Sequence, residues 1–511
     1  MTPPRPDSGR HLAVAAGALV LLVHLLDRLA LPPWDDAHFF RRVSHNLLDH
    51  GVLAWNVAEG AVYGNTSQGF QLLSALSVAV LPSHSLTVVK IAAAVTLFAL
   101  VARRNRAPAL GLAVVAMPAI LLILHSGMET PLALLMVALA VQLRDRPWTG
   151  AILTAAVYAV RPDAALIPVL LAILERRIPW RGLLLIGAMV GGFWLYFGSA
   201  LPLSFALKSS SFSPYSDAFI QGSRPLKVKN ALTMAALAAP LVLIGAFGAW
   251  RVLTAGLTFW AYHLISTVEV MGYQMRFYLP GFVAVGIAAV EGLRRFQQRV
   301  SMQRRIVLVV AWAVLVAGVY WGGWIWTGAD RHLVRMPLTL IAGYTLGVGL
   351  IVVEQRRLAV AAIVLGSLLN LSSRDVRLAS DDAMLRRAAK QYTSFRGLHT
   401  IKSCFDEPVH LYHTEIGVPG GWLLDSTITD MAGLMNEDIA RNGLNFEQRC
   451  QKEQPDFIFL PHKNYNTLRE ETEQSRCLTE GYAQMVAQSS APLFVRTDLT
   501  EAFTTCEIHN R

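Results

Sequence analysis

The sequence is short of charge. Only 16% of its 511 residues are Asp, Glu, Lys or Arg, while 54% are hydrophobic; soluble domains carry about 25% charged residues. That shortage excludes an ordinary soluble protein and predicts a polytopic membrane protein. Cysteine is scarce too: Cys404, Cys450, Cys477 and Cys506 are the only four, and none lies in the apolar region. There is no GxxxxGK[ST] phosphate loop, no GxGxxG turn after a strand, no HExxH and no zinc-type cysteine pair. ATP-driven transport and a nucleotide-sugar enzyme on the cytoplasmic face therefore have no support. No internal repeat or low-complexity segment is visible. The net charge of +10 would suggest nucleic acid in a soluble protein. Here the Lys and Arg residues sit in short clusters between apolar runs, as cytoplasmic loops do, so no nucleic-acid partner is expected.

What the chain does have is about thirteen apolar runs, from 12–31 to 358–372. The first has the length of a membrane span and is followed by "PPWDD" rather than a small-residue cleavage site, so it reads as a retained span. The clusters "ARRNR" (102–106), "RDR" (144–146), "ERRIPWR" (175–181), "RRFQQRVSMQRR" (294–305) and "EQRR" (354–357) alternate with loops poorer in Lys and Arg. Positive-inside orientation places these five in the cytoplasm, and Asp35, Asp36 and the polar tail outside. An even cysteine count confined to that tail agrees, because it predicts two disulfides in an oxidising compartment. Three pairings exist; Cys404–Cys506 with Cys450–Cys477 is favoured, joining the ends of the segment and pinning a middle loop. The same topology requires "GFQLLSALSVAVL" (69–81) not to cross, and 13 residues suit an interfacial or re-entrant helix.

The expected architecture is a polytopic α-helical membrane domain over 1–373, with an outer loop at 34–85 and an extracytoplasmic α/β domain at 374–511. The outer loop should hold an amphipathic helix at about 36–49. In the tail, "HTIKSCFDEP", "VHLYHTEIG", "DFIFLP", "PLFVRTD" and "FTTCEIH" read as strands. "DSTITDMAGLMNEDIARNG" and "TLREETEQSRCLTEG" read as helices with flanking turns.

Ionisable residues near spans are costly and mark function. Asp35, Asp36, His38, Asn65, Thr66, Glu129, Arg161, Asp163, Lys208, His263 and Arg276 all fall at or near outer span ends, so a bundle could gather them around one outward-facing cavity. Asp35 and Asp36 are adjacent, so one can face a reacting centre while the other caps the following helix. The pair could also hold a divalent cation, although two ligands fall short of a full set. Arg161 and Asp163 could simply pair with each other.

The motifs "DDAHFFRRVSHNLLDHGVLAWN", "YGNTSQGFQLL", "SGMETPL", "RPDAAL", "LPLSFALKS" and "RFYLP" follow in that order. In that order they resemble the GT-C class of glycosyltransferases, which take sugars from polyprenyl-phosphate donors, and within it the mycobacterial-type terminal arabinofuranosyltransferases. The tail's "DSTITDMAGLMNEDIA" resembles an element that follows the last span in such enzymes. "YGNTSQG" stands where Gly-Tyr-Thr-Asn is usual, "GMET" where Gly-Leu-Glu-Thr is commoner, and "RPDA" where Glu is frequent. The resemblance implies an enzyme of the bacterial inner membrane with its site on the periplasmic side. One of Asp35 and Asp36 would be the catalytic carboxylate. Lys208 and Arg276 would hold the donor phosphate. His38, Asn65, Thr66, Glu129, Arg161, Asp163 and His263 would shape the sugar and acceptor pocket, and the tail would help recognise an extracytoplasmic glycan, lipopolysaccharide or surface protein. No cofactor beyond the lipid-linked donor is implied. A mannosyl, galactofuranosyl or aminoarabinosyl donor is the near alternative; a flippase or transporter, or a ligase or assembly protein, is the more distant one.

Overall fold

A computed structural model describes residues 8–102, 107–207, 215–266, 273–326, 337–370, 379–487 and 489–509. The chain divides into two compact units, and neither is continuous in sequence.

The first unit comprises Met1–Leu29, Lys90–Ala188 and Arg224–Arg377, and its described elements are helices. Across the described chain, five helices are long and apolar enough to cross a membrane: Gly9–Arg28, Pro82–Ala102, Trp180–Phe197, Lys227–Ala246 and Met302–Trp321. A sixth candidate is the pair Pro108–Val115 and Pro118–His125, bent by 54°; Pro118 starts the second arm, where its missing N–H costs nothing. Other apolar helices, Thr130–Gln142, Pro147–Val160, Pro162–Leu174 and Leu338–Val352, are shorter than an untilted span. Small residues let helix backbones touch, as is usual where lipid gives no hydrophobic drive for association. A Cβ at Gly343 would come within 2.8 Å of the Gly366 Cα, so these two glycines set the contact between Leu338–Val352 and Arg356–Leu368.

The second unit comprises Ala30–Val89, Met189–Ser223 and Leu378–Arg511. Its centre is a five-stranded sheet: β1 (His410–His413), β2 (Thr427–Asp430), β3 (Phe457–Phe459), β4 (Tyr482–Val486) and β5 (Leu493–Arg496). The order is β2-β1-β3-β5-β4; β1 runs parallel to β2 and β3, and the β3–β5 and β5–β4 pairs are antiparallel. Leu411, Ile428, Phe457, Phe459, Leu493 and Val495 form a core with Phe39, Val43 and Trp55. The amphipathic helix is Ala37–His50, ended by Gly51 at a φ of 73°, a left-handed cap that glycine adopts without strain. The 13-residue segment is the helix Gln68–Val80; Leu72, Leu76 and Val80 are exposed at helical spacing, while Phe70, Gln71, Ser74 and Val78 are buried.

Several tail elements differ from expectation. "HTIKSCFDEP" supplies the helix Leu398–Cys404 and "FTTCEIH" belongs to the helix Thr500–His509. Their Thr and Ile residues favour strands locally, but Leu398, Ile401 and Phe503 are buried at helical positions and packing overrides propensity. "DSTITDMAGLMNEDIARNG" opens with strand β2 and is helical only over Glu437–Asn442. "TLREETEQSRCLTEG" breaks into Asn466–Glu473 and Arg476–Gly481, because the Ser475 hydroxyl accepts the Leu478 N–H and starts a second helix. Disulfides join Cys404 to Cys506 and Cys450 to Cys477. The first links the tail's Leu398–Cys404 helix to its final helix, closing a sequence separation of 102.

Candidate functional site

In the second unit, Asp35 and Asp36 stand at the start of the Ala37–His50 helix. The carbonyls of Trp34, Asp35 and Asp36 accept the first N–H groups, from Ala37, His38 and Phe39. Asp36 occupies the N-cap position, yet its side chain makes no capping bond. Asp35 caps a different helix: its carboxylate accepts the N–H of Val418 at 2.7 Å and of Gly417 at 3.2 Å. Those amides open the short helix Gly417–Trp422, "GVPGGW".

Three glycines make that docking feasible. A Cβ at Gly417 would overlap Asp35, one at Gly420 the Trp55 ring, and one at Gly421 the His38 ring. His38 is fully buried, with its ring against Gly421. Two arginines of "FFRR" hold the arrangement. Arg42 donates to the carbonyls of Trp55, Gly420, Leu423 and Ser426 and to Asn56 Oδ1, with its guanidinium 4.9 Å from the Trp55 ring centroid. Arg41 pairs with Asp381 at 3.1 Å and donates to the Gly421 carbonyl. Asp381 is satisfied in turn by Ser85 and Leu86.

The surroundings of the aspartates are acidic. Burial raises the Asp35 carboxyl well above its ordinary value, and Glu415 and Asp36 push the same way against the pull of the Val418 and Gly417 amides. Glu415 is pushed up to about 7 by burial, then by Asp36 and Asp430. Asp430 is also raised to about 7, mainly by burial, although the amides of Met435 and Ala432 favour its charge. Tyr465 is raised well above its usual range by burial, Glu415, Asp430 and Asp36. Carboxylates with such displaced ionisation cluster at functional sites. Among the described residues, no group of three or more His, Cys, Asp or Glu is arranged to hold a metal ion.

Asn65 and Thr66 lie in the loop before the Gln68–Val80 helix. Asn65 donates to Gln71 Oε1 at 2.8 Å, and Gln71 donates onward to the Phe40 carbonyl and Ser44. Thr66 Oγ1 lies 3.5 Å from Ser67 Oγ. Leu203 and Ser204 bond the carbonyls of Tyr63 and Gly64, tying "LPLSFAL" to this loop. Lys208 lies outside the described residues.

In the first unit, Glu129, Arg161, Asp163 and His263 form one connected network. Arg161 contacts Glu129 at 3.0 Å and Asp163 at 3.3 Å, and His263 Nε2 meets Asp163 at 2.8 Å. Arg161 and Asp163 therefore do pair, but within a larger array. Arg276 joins it through Phe277: both guanidiniums lie 5.1 Å from that ring's centroid. Gln274 and Met275, just before it, hold φ of 54° and 56°, strain that non-glycine residues accept mostly at functional sites.

No family model matches the chain, and no curated protein matches it. Solved structures do. The crystal structure of ArnT from Cupriavidus metallidurans bound to undecaprenyl phosphate matches with a TM-score of 0.60 at 14% identity, covering 95% of this chain and 97% of that one. The apo structure of ArnT matches with a TM-score of 0.54 at 13% identity and the same coverage. The fold is similar to that of ArnT. With five helices long and apolar enough to cross a membrane, the likeness supports a polytopic membrane protein with an ArnT-like fold.

Sequence reasoning missed a further buried polar cluster in the first unit. His24, Asp27 and Lys90 are buried; Lys90 Nζ donates to the Leu29 carbonyl at 3.0 Å, and Arg28 lies 4.0 Å from Asp27. The signal was available, since ionisable residues inside apolar runs are rare. It also missed Glu415 and Asp430, whose importance depends on contacts that no local pattern encodes.

Proposed function

We propose that this protein transfers a sugar from a polyprenyl-phosphate donor to an extracytoplasmic acceptor, with Asp36 as the base. The observation that carries the reading is the division of labour at the acidic pair. Asp35 spends its carboxylate on the Gly417 and Val418 amides, while Asp36 makes no capping bond and is charge-coupled to Asp35, Glu415 and Tyr465. The ArnT fold and the motif order support a lipid-phosphate donor; ArnT itself was crystallised with undecaprenyl phosphate.

The acceptor hydroxyl loses its proton to Asp36 as its oxygen bonds the anomeric carbon, and the carbon–phosphate-oxygen bond breaks with inversion. The motif resemblance assigns Lys208 and Arg276 to the leaving phosphate, whose developing charge cations stabilise, and Glu129, Arg161, Asp163 and His263 to the sugar and acceptor pocket. The Lys/Arg distribution supports a periplasmic location for this chemistry. The motif resemblance favours an arabinofuranosyl unit. Aminoarabinosyl, mannosyl and galactofuranosyl donors are the alternatives to test beside it.

The test is transfer by membrane-reconstituted protein from a panel of polyprenyl-phosphoryl sugars, read as released polyprenyl phosphate and glycosylated acceptor. A general base contributes about 10²–10⁴-fold, so Asp36→Asn should lose that much. Asp35→Asn retains one acceptor oxygen for the amides and should lose about tenfold. Full activity in Asp36→Asn overturns the assignment. Substrate movement without release of polyprenyl phosphate would mark a transporter.

A further inference from the structure

The turn between β1 and the Gly417–Trp422 helix holds a buried histidine that the reaction above does not use. His413 ends β1 and is fully buried. Its ring stacks on Phe459, with centroids 4.5 Å apart at 22°, and lies 5.8 Å from Phe395. Both ring nitrogens are engaged. Nε2 lies 3.1 Å from the Ser394 carbonyl, which can only accept, so Nε2 carries the proton. Nδ1 accepts the Glu415 N–H at 2.9 Å. Burial pushes this imidazole down to about 3, so it stays neutral and keeps one tautomer. Two residues beyond Glu415 come the Gly417 and Val418 amides that grip Asp35.

We propose that His413 is a positioning residue for the aspartate pair: its Nδ1 fixes the Glu415–Val418 turn, whose amides hold Asp35 and thereby aim Asp36. The inference rests on Asp36 being the base. It gives the tail a part in catalysis, beyond the acceptor recognition that the sequence motifs imply. The neutral tautomer matters because a protonated Nδ1 would donate, not accept, and the turn would lose its anchor.

The test uses full-length protein and three substitutions. His413→Phe keeps a ring to stack on Phe459 but has no acceptor. His413→Asn places an amide oxygen near the Nδ1 position, and His413→Gln places its amide near Nε2. The Phe and Gln variants should lose about 10–100-fold in kcat with the donor KM unchanged, while the Asn variant recovers most of it. Hydrogen exchange should show the Gly417 and Val418 amides exchanging at least tenfold faster in the Phe variant, with β1 amides unchanged. Unaltered exchange at those amides refutes the positioning role, whatever the activity. Equal kcat losses in Asn and Phe also refute it. Asp36→Asn runs in parallel: full activity there sinks the base assignment, whereas its loss beside an unaffected His413→Phe sinks only the inference.

Discussion

Glu415→Gln should make the second unit more stable at alkaline pH and leave it unchanged at acid pH. In the fold this carboxyl ionises at about 7 rather than near 4.5, because it is enclosed and faces Asp36 and Asp430. Between those values the folded chain holds a proton that the unfolded chain releases. Stability is therefore greatest below about pH 4.5 and declines as pH rises toward 7. Each pH unit of difference is worth about 1.4 kcal/mol, so the ionised group costs the fold about 3 kcal/mol above pH 7.5. Glutamine keeps the shape and removes the charge, at the cost of a partly enclosed amide, which brings the net gain to about 1–3 kcal/mol. For a domain of this class, that corresponds to an apparent Tm increase of roughly 2–10 °C. The assay is tryptophan-monitored melting in detergent at pH 5, 7 and 8.5, comparing the pH slope of the variant with that of the parent. An identical slope, or a loss of stability at pH 8.5, refutes the reasoning. A gain accompanied by lost transfer would show stability surrendered for function.

Two further outcomes concern the scaffold. Arg42→Ala takes a donor from five acceptors and leaves the Trp55 face uncovered, so it should destabilise the second unit by about 2–4 kcal/mol; Arg42→Lys, lacking the planar fork, should recover less than half, as read by urea or thermal unfolding. Reducing Cys404–Cys506, or replacing both residues by Ser, should lower stability by about 2–5 kcal/mol and free the Thr500–His509 helix to limited proteolysis before the sheet is cut; unaltered proteolysis would show that Phe503 packing alone holds it.

The membrane class was legible because scarce charge is a global property that no local contact can disguise. The aspartate pair drew notice for a similar reason: two carboxylates directly after an apolar run stand out, and the structure sets Asp35 against the Gly417 and Val418 amides. Strands β1, β3 and β5 could be read because Leu411, Phe457, Ile458, Phe459 and Leu493 are short apolar runs bounded by turn residues. β4 was not, since Tyr482–Val486 is a half-exposed edge strand without strict alternation. Nor was "GVPGGW", which resembles an ordinary loop. Its glycines make sense only against Asp35, His38 and Trp55, which lie far away in sequence. Glu415 was invisible on similar grounds, because its ionisation depends on burial and on the charges of Asp36 and Asp430, the first of them far away in sequence.

The reach of Arg42 has a consequence for how the protein is made. Its carbonyl partners in the tail lie 378 to 384 residues downstream. At about 5–20 residues per second, a nascent chain exposes this arginine for roughly 20–80 s before they exist. Throughout that interval Phe39, Val43 and Trp55 have no sheet to cover them, and Asp35 has no amides to grip. The unit can close only after every intervening span has been threaded. A chain that stops short of residue 417 thus never gives Asp35 the amides that hold it.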